Sequence, residues 1–309
     1  MRIVIIGGAH FPAINICLSL AQKYPKYQFF ILDSTIDLGT DLKSTLTANP
    51  QISLWEGTAE NKTLLKNLLS NADILINFLR AEEIENYIGQ VSYLFEYAKA
   101  SHLERIIHIS SSKVYGEVED SPVTEGHPLK PVELKGVLES FGENLAYYYS
   151  REYDLPVTVL RAFTVYGPYQ PLSETIPFLI TNAFTDKPLP LWEEGEWTEN
   201  LLFVEDFTEA INKVLKVDFD SLRGEVINIG GLGGFTIKKI ADIILTKLKK
   251  PQNLIEYRER YKQNPTSLIP SVMKAKILLS WTPKVDIEDG IQRMIDWYIN
   301  NKSWWEEKE

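Results

Sequence analysis

The sequence predicts an α/β fold, a Rossmann-type doubly wound parallel sheet with a smaller α/β lobe towards the carboxyl terminus. Short apolar runs alternate with helical patterns over the first half of the chain, and a glycine-containing turn follows the first run. After Gly167 the sequence becomes irregular and rich in proline. Continuously apolar strands are typical of a parallel sheet covered by helices on both faces, and strand–helix alternation is typical of βαβ units.

The first half of the chain supplies the elements of the predicted sheet. Strands are predicted at residues 2–6, 28–32, 52–55, 74–78, 105–110 and 157–161. Helices are predicted at residues 13–23, 61–70, 84–101 and 132–153. Because crossovers between parallel strands are right-handed, these units predict one continuous sheet.

The second half supplies the smaller lobe. Helices are predicted at residues 176–185, 207–215, 237–249 and 287–300, and strands at residues 201–204 and 226–229. The polar segment 256–270 and the tail 303–309 are predicted to be irregular. We predict a first lobe over residues 1–167, rejoined by about residues 200–230. The smaller lobe comprises residues 168–199 and 231–309 in this division of the chain.

Charge and composition argue against several classes of protein. The 309 residues carry a net charge of −10, which repels nucleic acids and anionic membranes, so neither is expected as a partner. Cys17 is the single cysteine, which excludes an internal disulfide. The four histidines show no metal-ligand spacing, and no metal site is predicted. No apolar run reaches the about 18–20 residues that span a membrane, and we expect a cytoplasmic protein.

The turn GGAHFPA, residues 7–13, follows the first strand. Glycines at such a turn let a diphosphate approach the backbone N–H groups of the next helix. Gly7 and Gly8 are present, but His10 stands where a further glycine is usual, and Ala13 replaces the last one. Two interpretations are open: a modified phosphate cradle in which His10 touches phosphate, or a tight turn that binds nothing.

Asp33 ends the second predicted strand, about 20 residues beyond the turn. An acid at this place binds the hydroxyl groups of an adenine ribose, and this favours NAD over NADP. The alternative is a carboxylate that only caps a helix or belongs to a loop.

Further motifs recur in order along nearly the whole chain. They are HISSSKVYG (108–116), TEGHPLKP (124–131), LRAFTVYGP (160–168), FVEDFTEAI (203–211), VINIGG (226–231) and SWTPKVDIEDGI (280–291). With these motifs the chain resembles the extended short-chain dehydrogenase/reductase family, in particular its NAD-dependent nucleotide-sugar epimerases and dehydratases. The resemblance implies a substrate-binding role for the smaller lobe.

The resemblance also implies positions for a catalytic triad. Members of the family use a Tyr, a Lys four residues later and a Ser or Thr. A phenol with a pKa of about 10 needs a nearby cation to act as an acid–base group. Here Ser111 matches the Ser, but Lys135 stands at the Tyr position and Glu139 at the Lys position. Residues at this spacing share a helix face and can form an ion pair, which would raise the pKa of the lysine.

Other positions follow from the same resemblance. The cofactor-binding candidates are Gly7, Gly8, His10, Phe11, Asp33, Thr58, Leu79 and Arg80. The substrate-binding candidates are Tyr115, Thr164, Tyr166 and Asn200. Leu79 and Arg80 are bulkier than the family's small residues next to the nicotinamide ribose, and Arg80 can recruit an anion. Asn200 stands where the family has a basic residue.

Two functions are compatible with this pattern. The first is an atypical NAD-dependent epimerase/dehydratase-like protein that acts on a nucleotide sugar with Lys135-x-x-x-Glu139 in place of Tyr-x-x-x-Lys. The alternative is a non-catalytic protein that binds a nucleotide or a partner on the same scaffold. The resemblance further implies a homodimer formed by the helices at residues 84–101 and 132–153.

Overall fold

The computed structural model of the chain describes residues 1–34, 39–118, 121–259 and 268–306. Its strands are Arg2–Ile6 (β1), Gln28–Asp33 (β2), Ile52–Glu56 (β3), Ile74–Asn77 (β4), Arg105–Ser111 (β5), Val157–Ala162 (β6), Thr164–Tyr166 (β7), Leu189–Trp192 (β8), Thr198–Phe203 (β9), Val226–Ile229 (β10), Gly234–Thr236 (β11) and Ile255–Arg258 (β12). Its helices are Ala13–Lys23 (α1), Gly39–Ala48 (α2), Lys62–Leu69 (α3), Ile84–Ala98 (α4), Leu134–Tyr153 (α5), Thr175–Phe184 (α6), Val204–Val214 (α7), Ile237–Leu248 (α8), Met273–Leu279 (α9), Ile287–Asn300 (α10) and Ser303–Glu306 (α11).

A seven-stranded parallel sheet forms the centre of the first lobe. Its strand order is β10-β6-β5-β4-β1-β2-β3. The order runs in opposite directions on the two sides of β1 and β4, which leaves a crevice beyond the carboxyl ends of these strands. The predicted Rossmann-type fold class is confirmed.

Strand β1 shows why its sequence is apolar throughout. Ile3 and Ile5 pack into one core beside α1, whereas Val4 and Ile6 pack into a second core beside α4. Successive side chains of a strand point to opposite faces, so a sheet covered by helices on both faces needs an apolar residue at every position.

The second lobe contains two small sheets. One has the order β11-β9-β7 and the other pairs β12 with β8. Helices α6, α8 and α10 enclose a separate core, whose members include Tyr166, Ile180, Leu191, Ile244 and Tyr298. The chain returns to the first lobe through α7, which packs on α1, and through β10, which pairs with β6. The predicted lobe boundaries stay a prediction.

Two expectations about irregular sequence were wrong in part. Residues Ser303–Glu306 of the tail form a helix because Trp305 is buried at 4% exposure and its indole N–H donates to the carbonyl of Tyr298 at 3.0 Å. Residues Ile255–Arg258 form β12 because they pair with β8. Residues 259 and 268–270 belong to no helix or strand, as expected, and residues 260–267 and 307–309 lie outside the described residues.

Sequence periodicity also missed two helices, α2 and α9. Both are short, and α9 has only Ala275 and Leu279 buried. Too few apolar positions recur in such helices to give a helical pattern. Among the described residues, no helix combines the length and the apolar character that a membrane span requires.

Candidate functional site

A cleft of about 500 Å³ lies between the two lobes, where β1, β4, β5 and β6 end. The first lobe contributes the residues that follow these strands, among them His10, Phe78, Ser111 and Ala162. The second lobe contributes Thr164, Glu174 and Glu199 from the opposite side. The cleft therefore occupies the crevice that the strand order predicts for a ligand.

A smaller cavity of about 190 Å³ adjoins the cleft. It is lined by Gly7, Asp33, Gly57, Asn86, Tyr87 and Gln90. Leu79, Arg80 and Glu82 line both the cavity and the cleft. The loop after β4 thus forms the junction between the two spaces.

The turn after β1 depends on Gly7. Its φ is +67°, and a Cβ at this position would lie 2.7 Å from the carbonyl oxygen of Phe78. Only glycine accepts both the left-handed backbone and the contact with the end of β4. The turn is thereby held against the junction loop.

Asp33 and His10 hold the turn from the other side. The carboxylate of Asp33 accepts the N–H of Ala9 at 2.9 Å. The ring nitrogens of His10 face the carbonyls of Phe11 at 2.6 Å and Phe78 at 3.2 Å. Burial lowers the pKa of His10, and a neutral ring donates to only one of these carbonyls. A contact between His10 and phosphate stays a prediction.

A buried polar pair fixes the junction loop. Asn77 accepts the N–H of Leu79 at 3.0 Å with its side-chain oxygen, and its side-chain nitrogen lies 2.8 Å from Nδ1 of His108. Burial lowers the pKa of His108 to about 4, so the ring is neutral near pH 7. These contacts position Leu79 and the exposed Arg80, which forms an ion pair with Glu82 at 3.6 Å.

The three positions at which the resemblance implies a triad meet at the cleft. The Ser111 hydroxyl donates to the carboxylate of Glu139 and accepts the N–H of Lys113 at 3.2 Å. Lys135 lines the same cleft from the exposed face of α5. The hydrogen-bond partner of Glu139 is thus Ser111, and no ion pair within 4.0 Å joins it to Lys135 in this part of the structure. The expected Lys135–Glu139 ion pair is absent as a direct contact.

Burial gives Glu139 unusual acid–base properties. The residue is only 7% exposed, and burial raises the pKa of its carboxyl group above the ordinary value. The positive charge of Lys135 and the hydrogen bond from Ser111 oppose this effect without cancelling it. A buried carboxyl group with a raised pKa is suited to accept and return a proton.

A buried network lies beneath Ser111 and Glu139. Arg161 binds the carboxylate of Glu143 with two nitrogens, the shorter contact being 2.7 Å, and Ser110 donates to the same carboxylate at 2.5 Å. Arg161 also donates to the Tyr115 hydroxyl at 2.9 Å, and this hydroxyl donates to Asn228 at 2.7 Å. The network ties β5 and β6 to α5.

This network accounts for the placement of Tyr115 away from the cleft. Tyr115 has no exposed surface, and its contact with a substrate stays a prediction. Tyr166 is likewise buried, with its hydroxyl against Gly290. Asn200 binds the backbone of Gly231 and Gly233 with both side-chain atoms, and it lines only a small cavity of about 50 Å³.

The remaining candidates are placed close to the cleft. Thr164 and Phe11 line it directly. Thr58 follows Gly57, which lines the smaller cavity. Gly8 is packed inward, because a Cβ there would lie 2.7 Å from the side chain of Ile5.

Sequence reasoning missed the second-lobe side of the cleft. Gln170, Glu174 and Glu199 line it, and Lys113 does so while pairing with Glu133 at 2.9 Å. The available signal was the spacing of Glu199 and Leu201, which lie two residues apart on β9 and therefore share the strand face that lines the cleft. Within the described ranges, no group of His, Cys, Asp or Glu residues is arranged to hold a metal ion.

Comparison with known families is consistent with this geometry. The model of the NAD dependent epimerase/dehydratase family matches residues 3–230. The trifunctional UDP-glucose 4,6-dehydratase/UDP-4-keto-6-deoxy-D-glucose 3,5-epimerase/UDP-4-keto-L-rhamnose-reductase RHM2 of Arabidopsis thaliana is 29% identical over 98% of the chain. The chain spans about half of that protein, 48% of its length.

Two solved structures cover the chain almost completely. The dTDP-glucose 4,6-dehydratase of Bacillus anthracis, in complex with NAD, is 29% identical with a TM-score of 0.92 over 100% of both chains. The UDP-glucuronic acid 4-epimerase of Bacillus cereus, in complex with UDP-glucuronic acid and NAD, is 27% identical with a TM-score of 0.89 over 97% of this chain and 99% of that one. The chain therefore belongs to the NAD dependent epimerase/dehydratase family.

Proposed function

We propose that the chain binds NAD across the two connected spaces. The main support for this proposal is that the 190 Å³ cavity and the 500 Å³ cleft meet at Leu79, Arg80 and Glu82. A dinucleotide has a matching shape, because its two nucleoside halves are joined by a diphosphate, as the two spaces are joined at this junction. Asp33 would hold the adenine ribose in the smaller cavity, and Arg80 would neutralise the diphosphate at the junction.

The remainder of the cleft would hold a nucleotide sugar. Relatives of similar length carry nucleotide-sugar names, and one solved relative contains UDP-glucuronic acid beside NAD. In this chain the second lobe faces Ser111 and Glu139 across the cleft. A sugar bound there lies between the cofactor side and the second lobe, as a redox step on the sugar requires.

Ser111 and Glu139 would handle the proton in an epimerase or dehydratase reaction. The chemistry that bound NAD would supply here is the acceptance and return of a hydride. The hydroxyl that loses its proton in that step needs an acceptor, which the Glu139 carboxylate supplies directly or through Ser111. Lys135 assists because its charge favours the ionised form of Glu139.

A second candidate function is binding without turnover. It is favoured by α5 itself, in which no Tyr is followed four residues later by a Lys. If the Glu139 carboxylate is not positioned to accept the proton of the sugar hydroxyl, the cleft would bind its ligands without catalysing a reaction.

The protein would act as a homodimer through α4 and α5. These helices pack on each other and leave large apolar side chains exposed, including Ile84 at 54%, Val137 at 49% and Tyr147 at 58%. Exposed apolar side chains concentrated on adjoining helices are typical of an interface. Sedimentation of the full chain as a monomer at micromolar concentration would contradict the proposed homodimer.

Calorimetry and a solvent-exchange assay test the function. We expect NAD to bind, and uridine or thymidine diphosphate sugars to bind more tightly in its presence. We also expect incubation of protein, NAD and sugar nucleotide in deuterium oxide to give an epimerised, dehydrated or deuterated sugar. Binding without any such product favours the second candidate, and no binding of either ligand contradicts both.

A further inference from the structure

The second-lobe wall of the cleft presents hydrogen-bond acceptors. Three of its side chains are Gln170, Glu174 and Glu199, which come from the loop after β7, the start of α6 and strand β9. All three come from elements outside the seven-stranded sheet. Glu199 accepts a hydrogen bond from the side chain of Trp197, whereas the side-chain oxygen of Gln170 has no partner among the described residues.

Glu199 is the inner carboxylate of this wall. It alternates with Asn200 along β9, so its side chain shares the cleft face with that of Leu201. Burial raises the pKa of its carboxyl group, and the nearby Lys113 partly offsets this. Lys113 is already paired with Glu133 at 2.9 Å, so one ammonium group serves two carboxylates.

Glu174 adds a second negative charge. It occupies the N-cap position of α6 but makes no capping hydrogen bond there. In the described part of the chain its carboxylate has no ion pair within 4.0 Å, and it repels the charge of Glu199. The wall thus holds two carboxyl groups near one ammonium group that is already paired, and a cation bound between them would favour their ionised forms.

Gln170 provides independent support for a ligand. The residue is 4% exposed, and its side-chain oxygen has no hydrogen-bond partner among the described residues. Its side-chain nitrogen makes only a 3.5 Å contact with the carbonyl of Val165. A buried amide oxygen without a donor costs free energy, and Gln170 lines the cleft, so a ligand donor that reaches this oxygen on binding would be favourable.

We infer that this wall binds a protonated amine, and that the substrate is a nucleotide sugar with a free amino group. This inference rests on the proposed nucleotide-sugar function. An ammonium group carries a positive charge, which compensates the negative charge of the ionised carboxylates, and it donates three hydrogen bonds. A sugar hydroxyl donates one and is uncharged, and an acetamide also lacks the charge.

Isothermal titration of the NAD-loaded protein with three matched ligands tests the inference. UDP-glucosamine, UDP-glucose and UDP-N-acetylglucosamine differ in the amine, the hydroxyl and the acetamide at one carbon. We expect the amine to bind at least about tenfold more tightly than the other two, as hydrogen bonds between charged groups allow. Glu199→Gln and Glu174→Gln should reduce this preference, whereas Glu196→Gln, at an exposed carboxylate of the same lobe outside the cleft lining, should keep it.

The outcomes separate this inference from the proposed function. Similar affinities for the three ligands, or an amine preference that survives in both cleft variants, would overturn the amine site while leaving nucleotide-sugar binding intact. Failure of all three ligands to bind would contradict the proposed function itself. The ligand series on the unmodified protein remains decisive if a variant does not fold.

Discussion

The hydroxyl of Ser111 donates a hydrogen bond to the buried carboxylate of Glu139 in the wall of the cleft. This contact places a carboxyl group of raised pKa where the resemblance implies a lysine. Lys135, at the implied phenol position, lies at the exposed edge of the same cleft. The pair Ser111–Glu139 is therefore the centre of the proposed chemistry.

Glu139→Gln should abolish most turnover without preventing NAD binding. Glutamine keeps the shape and one acceptor for Ser111 but cannot take a proton, so kcat should fall by about 100-fold or more. Solvent-exchange rates and NAD titrations of the variant measure the two effects. Glu152→Gln, an exposed carboxylate on the same helix, serves as the control and should retain the full rate. An active Glu139→Gln variant would exclude Glu139 as the proton acceptor.

The same substitution should change the pH dependence of stability. The pKa of Glu139 in the folded protein lies above its ordinary value of 4.5, so folding favours its protonated form. Its contribution to the free energy of unfolding is greatest below pH 4.5 and is lost as the pH rises through the raised pKa. Urea unfolding should therefore show Glu139→Gln gaining stability relative to the unmodified protein as the pH increases towards 8. A constant difference across this range would contradict the raised pKa.

Gly7→Ala should reduce both stability and NAD affinity. A Cβ there meets the carbonyl of Phe78 at 2.7 Å in a left-handed backbone, and we expect a cost of about 2–3 kcal/mol in the free energy of unfolding. Gly233→Ala is the matched control, since its φ is +101° but no atom lies within 4 Å of the added Cβ. Its cost should be about 1 kcal/mol, from backbone strain alone. Equal losses in the two variants would show that the contact with β4 is unimportant.

Arg80→Gln should weaken NAD binding by about tenfold, as loss of one charge-assisted hydrogen bond predicts. The affinity for adenosine, which carries no phosphate, should not change. Calorimetry with both ligands makes the comparison. An equal loss for adenosine would show that Arg80 acts by shaping the smaller cavity and not by binding the diphosphate.

Arg161→Met should destabilise the fold by about 3–5 kcal/mol, because it leaves the buried charge of Glu143 without its partner. Adding Glu143→Gln to this variant should recover part of the loss, since the unpaired charge is then removed. Urea unfolding measures both values. A double variant no more stable than Arg161→Met would show that packing, and not charge, explains the cost.

The sequence predicts the first lobe better than the second. Strands such as Arg2–Ile6 are recognisable because burial on both faces demands apolar residues at every position. Gly7 and Asp33 are recognisable because the turn has a characteristic chemistry. In contrast, Glu174 and Glu199 come together only through tertiary structure, from a helix start and a strand without a distinctive pattern.

The motif residues show a further limit of sequence reasoning. Tyr115 and Asn200 belong to recognisable motifs, yet the structure uses them in buried hydrogen bonds with Asn228 and with the backbone of Gly231. A motif identifies a position in the fold, but it does not distinguish a residue that binds a ligand from one that supports the neighbouring loop.

A crystal structure of the chain with NAD and a uridine diphosphate sugar tests the central claim most directly. We predict the adenosine in the smaller cavity with its ribose on Asp33, and the sugar in the cleft with Glu139 or Ser111 within hydrogen-bonding distance of a sugar hydroxyl. An empty cleft at saturating ligand would contradict this account. So would a phenol such as Tyr87, which lines the smaller cavity, in contact with the reacting hydroxyl in place of Glu139 and Ser111.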